Sequence, residues 1–225
     1  AWAFAKCALL LHGSLSEDSL NIISNSAAST NVTTSIRELI LLTKKEDLKS
    51  RSLNEIFLVI AQVHSLCRNW ELMHEWLELI NHENSMTHFC QAKILELKAL
   101  EIIFKGKDTT KALHFIEMSI DFFKSEELSP KDLQVLQAYA LIETGQFSLG
   151  LEKINKNLLK SKSSIRSLYF IVKALDKAGK LELIDQDFLN QLNNNPPKNL
   201  FEQKLIEEIF VFYGNKLQNN FIGLA

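Results

Sequence analysis

Ala61, Ala99 and Ala138 recur at intervals of 38 and 39 residues, and Val172 follows 34 residues later. Each marks the matching point of a helix–turn–helix pattern. A period of roughly 20–50 residues is the signature of stacked helical or sheet units, and here the unit is a pair of helices. Such a stack exposes a long curved surface instead of one pocket, and surfaces of that kind hold other macromolecules.

Composition agrees with one continuous helical array. The 225 residues include only 3 Pro and 7 Gly, and 46% are hydrophobic, enough to supply a core throughout. Apolar residues recur at helical spacing and few strand-like alternations appear, so the expected class is all-α. With 25 basic and 27 acidic side chains the net charge is −2, which gives no global field for nucleic acid or anionic lipid. Cys7, Cys67 and Cys90 are odd in number and sit in apolar stretches. That pattern suits reduced thiols of a cytoplasmic or nuclear protein better than a disulfide framework. The apolar run from Ala1 to Leu11 is broken by Lys6 and too short to cross a bilayer. Because the chain opens on Ala within that run, it is expected to continue an upstream array.

Boundaries follow from capping signals. Ser14-x-x-Glu17, Ser35-x-x-Glu38 and Ser52-x-x-Glu55 read as helix starts, with Asn25 to Thr34 as a loop between the first two. Asn69 caps a helix from Trp70, Ser85 one that ends at Lys105, and Asp108 the next. Ser129-Pro130 places Pro at a first helical position. Phe147 to Lys160, a helix from Ser163 or Ser164 to Ala178, and its partner ending by Leu192 follow. Asn199-x-x-Glu202 opens a last strong helix to about Tyr213, with a short final helix beyond Gly214. Residues 1–50 therefore read as N-terminal helices, 51–192 as four hairpins, and 193–225 as a C-terminal helix and capping segment.

From residue 52 to 192 these hairpins resemble the tetratricopeptide repeat, a helix pair of about 34 residues. The resemblance rests on Gly145-Gln146-Phe147 with Ala138 seven residues earlier, on Ala61 with Asn69-Trp70, on Ala99 with Gly106 and Ala112, and on Gly179-Lys180-Leu181. Small residues let paired helices approach, and the bulky residue after the turn plugs the gap. The pattern departs where Gly150, Met73 and Ile184 replace the usual Ala, and where the Gly106–Asp108 turn is one residue longer. The resemblance implies an α-solenoid whose first helices line a concave groove. It is also similar in kind to the divergent arrays of large cell-cycle, chromosome-associated and meiotic scaffolds, an analogy of fold only.

Carried onto this chain, the groove positions are Leu58, Gln62, Glu96, Leu100, Ile103, Phe104, Val135, Tyr139, Ile142, Tyr169 and Lys173. They lack the Lys and Asn clamp with which some family members grip a C-terminal carboxylate. An apolar and aromatic groove suits an amphipathic helix or an extended peptide of a protein partner, and the chain is expected to be one subunit of a larger complex. The competing reading is that these side chains pack against neighbouring helices.

Other chemistry is weaker. Lys153, Lys156, Lys160, Lys162 and Arg166 form a basic cluster that would track phosphates in a nucleic-acid-binding alternative, against the plain reading of a solvated face. His64, Cys67, His88 and Cys90 carry donor atoms for zinc, yet His88 and Cys90 point apart on a helix and core residues explain them better. No catalytic or cofactor-binding signature is present, so neither an enzyme nor a cofactor is expected. A helical domain enclosing a small molecule is the third reading, and a closed pocket with converging polar groups would favour it.

Overall fold

One turn geometry is used four times and sets the architecture. The computed structural model describes residues 17–29, 31–43, 50–80, 86–124, 131–154 and 163–222. Within it Arg68, Gly106, Gly145 and Gly179 take positive φ values of 56°, 62°, 85° and 65°. At each turn that residue's N–H donates to the carbonyl three positions back, and the next N–H donates five positions back. The second bond is 2.9 Å from Asn69 to His64, 3.0 Å from Lys107 to Ile102, 2.8 Å from Gln146 to Leu141 and 2.7 Å from Lys180 to Leu175. This left-handed C-cap satisfies the last carbonyls of one helix while reversing the chain into the next. Each turn follows a fully buried Ala61, Ala99, Ala138 or Val172 by seven residues. Glycine reaches this conformation freely, whereas Arg68 adopts it at a cost of about 1–2 kcal/mol.

Among the described residues there are eleven α-helices and no strand: α1 Glu17–Ser29, α2 Val32–Thr43, α3 Ser50–Leu66, α4 Trp70–Glu78, α5 His88–Phe104, α6 Thr109–Lys124, α7 Lys131–Glu143, α8 Phe147–Lys153, α9 Ile165–Lys177, α10 Gln186–Asn194 and α11 Leu200–Ile222. The pairs α3/α4, α5/α6 and α7/α8 are the tightest hairpins, and α7 packs on both α6 and α9. Ser119 ties α6 to α5 by donating to the Ala92 carbonyl at 2.8 Å. α1 lies on α3, while α11 lies on α9 and also reaches α3. A single apolar core runs from Leu20 to Ile209.

Asn69, Asp108, Ser164 and Asn199 accept the N–H groups of the helices they open. α5 is capped by Thr87, whose hydroxyl accepts from the Cys90 N–H, two residues beyond the expected start. Several expectations are corrected. The segment Asn25 to Thr34 is largely helical: α1 continues to Ser29 because Ser24 and Ala27 face the core. α2 starts at Val32, where the Asn31 side chain accepts the Thr34 N–H, so Ser35 is buried inside the helix and does not cap it. Burial of one face overrides the weak helix propensity of Ser, Thr and Asn. α8 ends at Lys153, since Ile154 leaves the helical conformation and tucks into the core. The partner of α9 is not one helix but a 3₁₀ turn, Leu181–Leu183, followed by α10. Asp185 caps α10 through the Phe188 N–H, and the extended Ile184 enters the core. α11 passes through Gly214 without a break. Ser129-Pro130 lies outside the described residues.

Gly150 accounts for one departure from the repeat pattern. A Cβ there would collide with the Ile142 side chain and stand 2.9 Å from the Ala138 carbonyl, so α7 and α8 approach as closely as backbone allows. Gly150→Ala gains about 1 kcal/mol of helix propensity but overpacks this contact by about 1–3 kcal/mol. The expected net result is a lower thermal midpoint, measured by circular dichroism, and a midpoint raised by the substitution would refute the close approach.

Candidate functional site

The start of α4, the end of α5 and the first half of α9 bring an aromatic platform together. Trp70 stacks on Phe104 at 5.3 Å between ring centres, and Phe104 stacks on Tyr169 at 6.2 Å. Phe170 fills in behind, 5.7 Å from Phe104 and 5.0 Å from Tyr139. Offset and edge contacts of this kind add about 0.5–1.5 kcal/mol per pair beyond burial.

α11 sits on the platform. Its buried stripe is Phe201, Leu205 and Ile209, one residue per turn on one face. Phe201 meets Phe104 and Trp70 edge-on at 5.4 and 6.4 Å. Glu208 then accepts from Arg68 Nη1 at 2.6 Å and from the Tyr169 hydroxyl at 2.7 Å. The Arg68 guanidinium lies over both Phe104 and Phe201, at 5.3 and 5.4 Å. At the start of α11, Asn199 donates to Asn25 of α1 at 2.7 Å. These contacts join chain positions far apart in sequence.

Burial pushes the Tyr169 hydroxyl well above its ordinary value, and Glu208 adds to the rise; Tyr139 is raised by burial and then by Glu143. Both therefore act as hydrogen-bond donors at neutral pH. Lys173 stands over Tyr139 and Tyr169 at 5.3 and 5.4 Å; burial lowers its pKa, and Glu143 and Glu208 oppose the drop.

Beneath this seat lies an ionic cluster. Glu96 accepts from Lys93 at 2.8 Å and from Arg166 at 2.7 Å, with the Lys93 and Glu96 side chains almost wholly buried. Arg166 also approaches Asp132 at 3.5 Å, and Asp132 takes the hydroxyls of Ser164 and Ser167. Burial opposes the charge on Glu96, but Lys93 and Arg166 outweigh it and lower its pKa to about 2. A cavity of about 160 Å³ beside the cluster is lined by Asn21, Asn25, Gln62, Lys93, Arg166 and Lys198 among others. Three hairpins are cross-linked here by charge.

The residues expected to line an open groove are therefore placed differently. Leu58, Glu96, Leu100, Val135 and Ile142 are buried in the contacts between helices, and Gln62 borders the polar cavity. Ile103 is half-buried against the core. Phe104 and Tyr169 touch α11, and Tyr139 and Lys173 border its seat. Two residues expected in an open groove, Phe104 and Tyr169, are instead in contact with the chain's own last helix. Arg166 is likewise turned inward, paired with Glu96 and Asp132. Lys153 is exposed, and Lys156, Lys160 and Lys162 lie outside the described residues.

Sequence reasoning missed Arg68, Phe201, Leu205, Glu208 and Ile209. The available signal was an Arg standing where three other turns carry Gly. Among the described residues no group of three His, Cys, Asp or Glu is gathered as for a metal ion, and no helix is long and apolar enough to cross a membrane. No family model matches the chain, and neither a curated protein nor a solved structure is similar to it.

Proposed function

We propose that this chain is a protein-interaction module: a stretch of tetratricopeptide-like α-solenoid whose inner face receives a helix from a partner within a larger complex. The observation that carries this reading is the seat of α11. A helix already lies there, anchored by Phe201, Leu205 and Ile209 and fixed in register by Glu208. Helix-in-groove recognition uses the same ingredients, apolar anchors at helical spacing and a few flanking polar contacts. The repeated turn and the stiff hairpins hold the receiving side chains in place, which limits the ordering cost of binding.

The nucleic-acid alternative loses Arg166 to internal ion pairs. Cross-linking mass spectrometry on the full chain with bound partner tests the proposal. Cross-links are expected on Lys173 and Lys177 beside the inner face. Links confined to Lys111 and Lys153 would remove the inner-face reading, and an RNA shift that fades along a salt series would favour the alternative.

A further inference from the structure

Arg68 is an expensive residue that α11 uses incompletely. Its backbone holds the left-handed conformation that the other three turns give to glycine, so an arginine stands where strain argues against it. Its guanidinium carbon lies 5.3 and 5.4 Å from the centres of the Phe104 and Phe201 rings, yet among the described residues only Nη1 has a partner, while Nε and Nη2 are buried without one. A planar guanidinium matches a carboxylate through two parallel N–H bonds. Glu208 does not do this, because its two oxygens are divided between Arg68 and Tyr169.

α11 also carries a cation, Lys204, on the turn before Glu208. It lies between Glu208 and Phe201, and is close enough to the adjoining Cys67 for its charge to act on the thiol. With Glu208 belonging to α11 itself, the seat left behind by that helix carries Arg68, Lys173 and Lys177 against two acids, Glu143 and Asp176. An unoccupied seat is cationic.

We infer that α11 is a resident occupant displaced by a separate amphipathic helix, one that repeats the spacing of Phe201, Leu205 and Ile209 and places acidic residues where α11 has Lys204 and Glu208. This rests on the reading of the inner face as a helix seat and adds the partner's chemistry and its competition with α11. The second acid would engage the Arg68 nitrogens that α11 leaves unpaired.

The test uses the full chain and two fluorescent synthetic peptides copying residues 198–214, one native and one carrying Lys204→Glu. The Lys204→Glu peptide is expected to bind at least ten-fold more tightly by anisotropy, and amides 200–213 of the intact chain are expected to exchange faster with deuterium as it binds. Arg68→Gly, which gives the turn the residue used by its three counterparts, is expected to abolish the difference between peptides. In the intact chain Lys204→Glu is expected to raise the thermal midpoint and weaken peptide binding, because the resident helix then fits better. Equal binding of both peptides would overturn the preference for acid while leaving the helix seat in place. Binding without faster exchange at 200–213 would overturn displacement. Failure of both peptides to bind, even to a chain loosened by Leu205→Ala, would overturn the seat as well. Dimers that exchange α11 without peptide would make a second copy the occupant and overturn the inference.

Discussion

Glu96→Gln is expected to lower stability by about 3–5 kcal/mol, the range for removing one partner of a buried ion pair. The cause is the charge left behind: Lys93 and Arg166 both point at Glu96, and its side chain is only 3% exposed. The neutral amide keeps the shape and can accept a hydrogen bond, but it cannot balance two cations. A urea titration followed by circular dichroism reads the loss. Acid should act in the same way on the native chain. The folded carboxyl titrates at about 2 against an ordinary 4.5, so its contribution is present above pH 4.5 and disappears as pH falls toward 2. That gap corresponds to about 3 kcal/mol. Glu96→Gln should flatten this part of the stability profile. A variant as stable as the native chain would show that the cluster is wetter than its burial implies. Replacing Lys93, Glu96 and Arg166 together by apolar residues of similar size should recover much of the loss, because the desolvation penalty goes with the charges.

What could be read from the sequence was local. Ala61, Ala99 and Ala138 set a period because helix contacts need small residues. Gly106, Gly145 and Gly179 marked turns because a positive φ favours glycine, and Asn199-x-x-Glu202 located the start of α11. The same logic hid Arg68, whose backbone takes the glycine conformation without the glycine. It also misjudged Asn25 to Thr34, where polar residues looked like a linker although Ser24, Ala27 and Ser35 are buried.

The candidate site was legible only in part, since it is made of contacts between distant positions. Glu96 read as a groove residue and Arg166 as part of a basic face, yet they meet at 2.7 Å inside the protein. Apolar residues on the first helix of each hairpin serve equally as groove or core. What decides between them is whether another helix lies over them, and nothing in the spacing of α5 or α9 announces that α11 folds back from its end of the chain onto the start of the hairpins.

Phe104→Glu separates those two possibilities in one experiment. Had Phe104 lined an open groove, a charge there would weaken partner binding and leave the helices intact. In the structure its ring contacts Trp70, Tyr169, Phe170 and Phe201 and carries the Arg68 guanidinium. Truncating such a ring removes about 3–5 kcal/mol, and a carboxylate placed among the rings adds the cost of burying a charge, relieved only in part by Arg68. The expected result is a large drop in the urea midpoint, with α11 released first and its amides exchanging rapidly. Phe104→Leu, which keeps most of the volume but not the stacking, should fall between the two. A Phe104→Glu chain that unfolds at the native midpoint would mean that the ring stands in solvent, and that α11 does not rest on this platform.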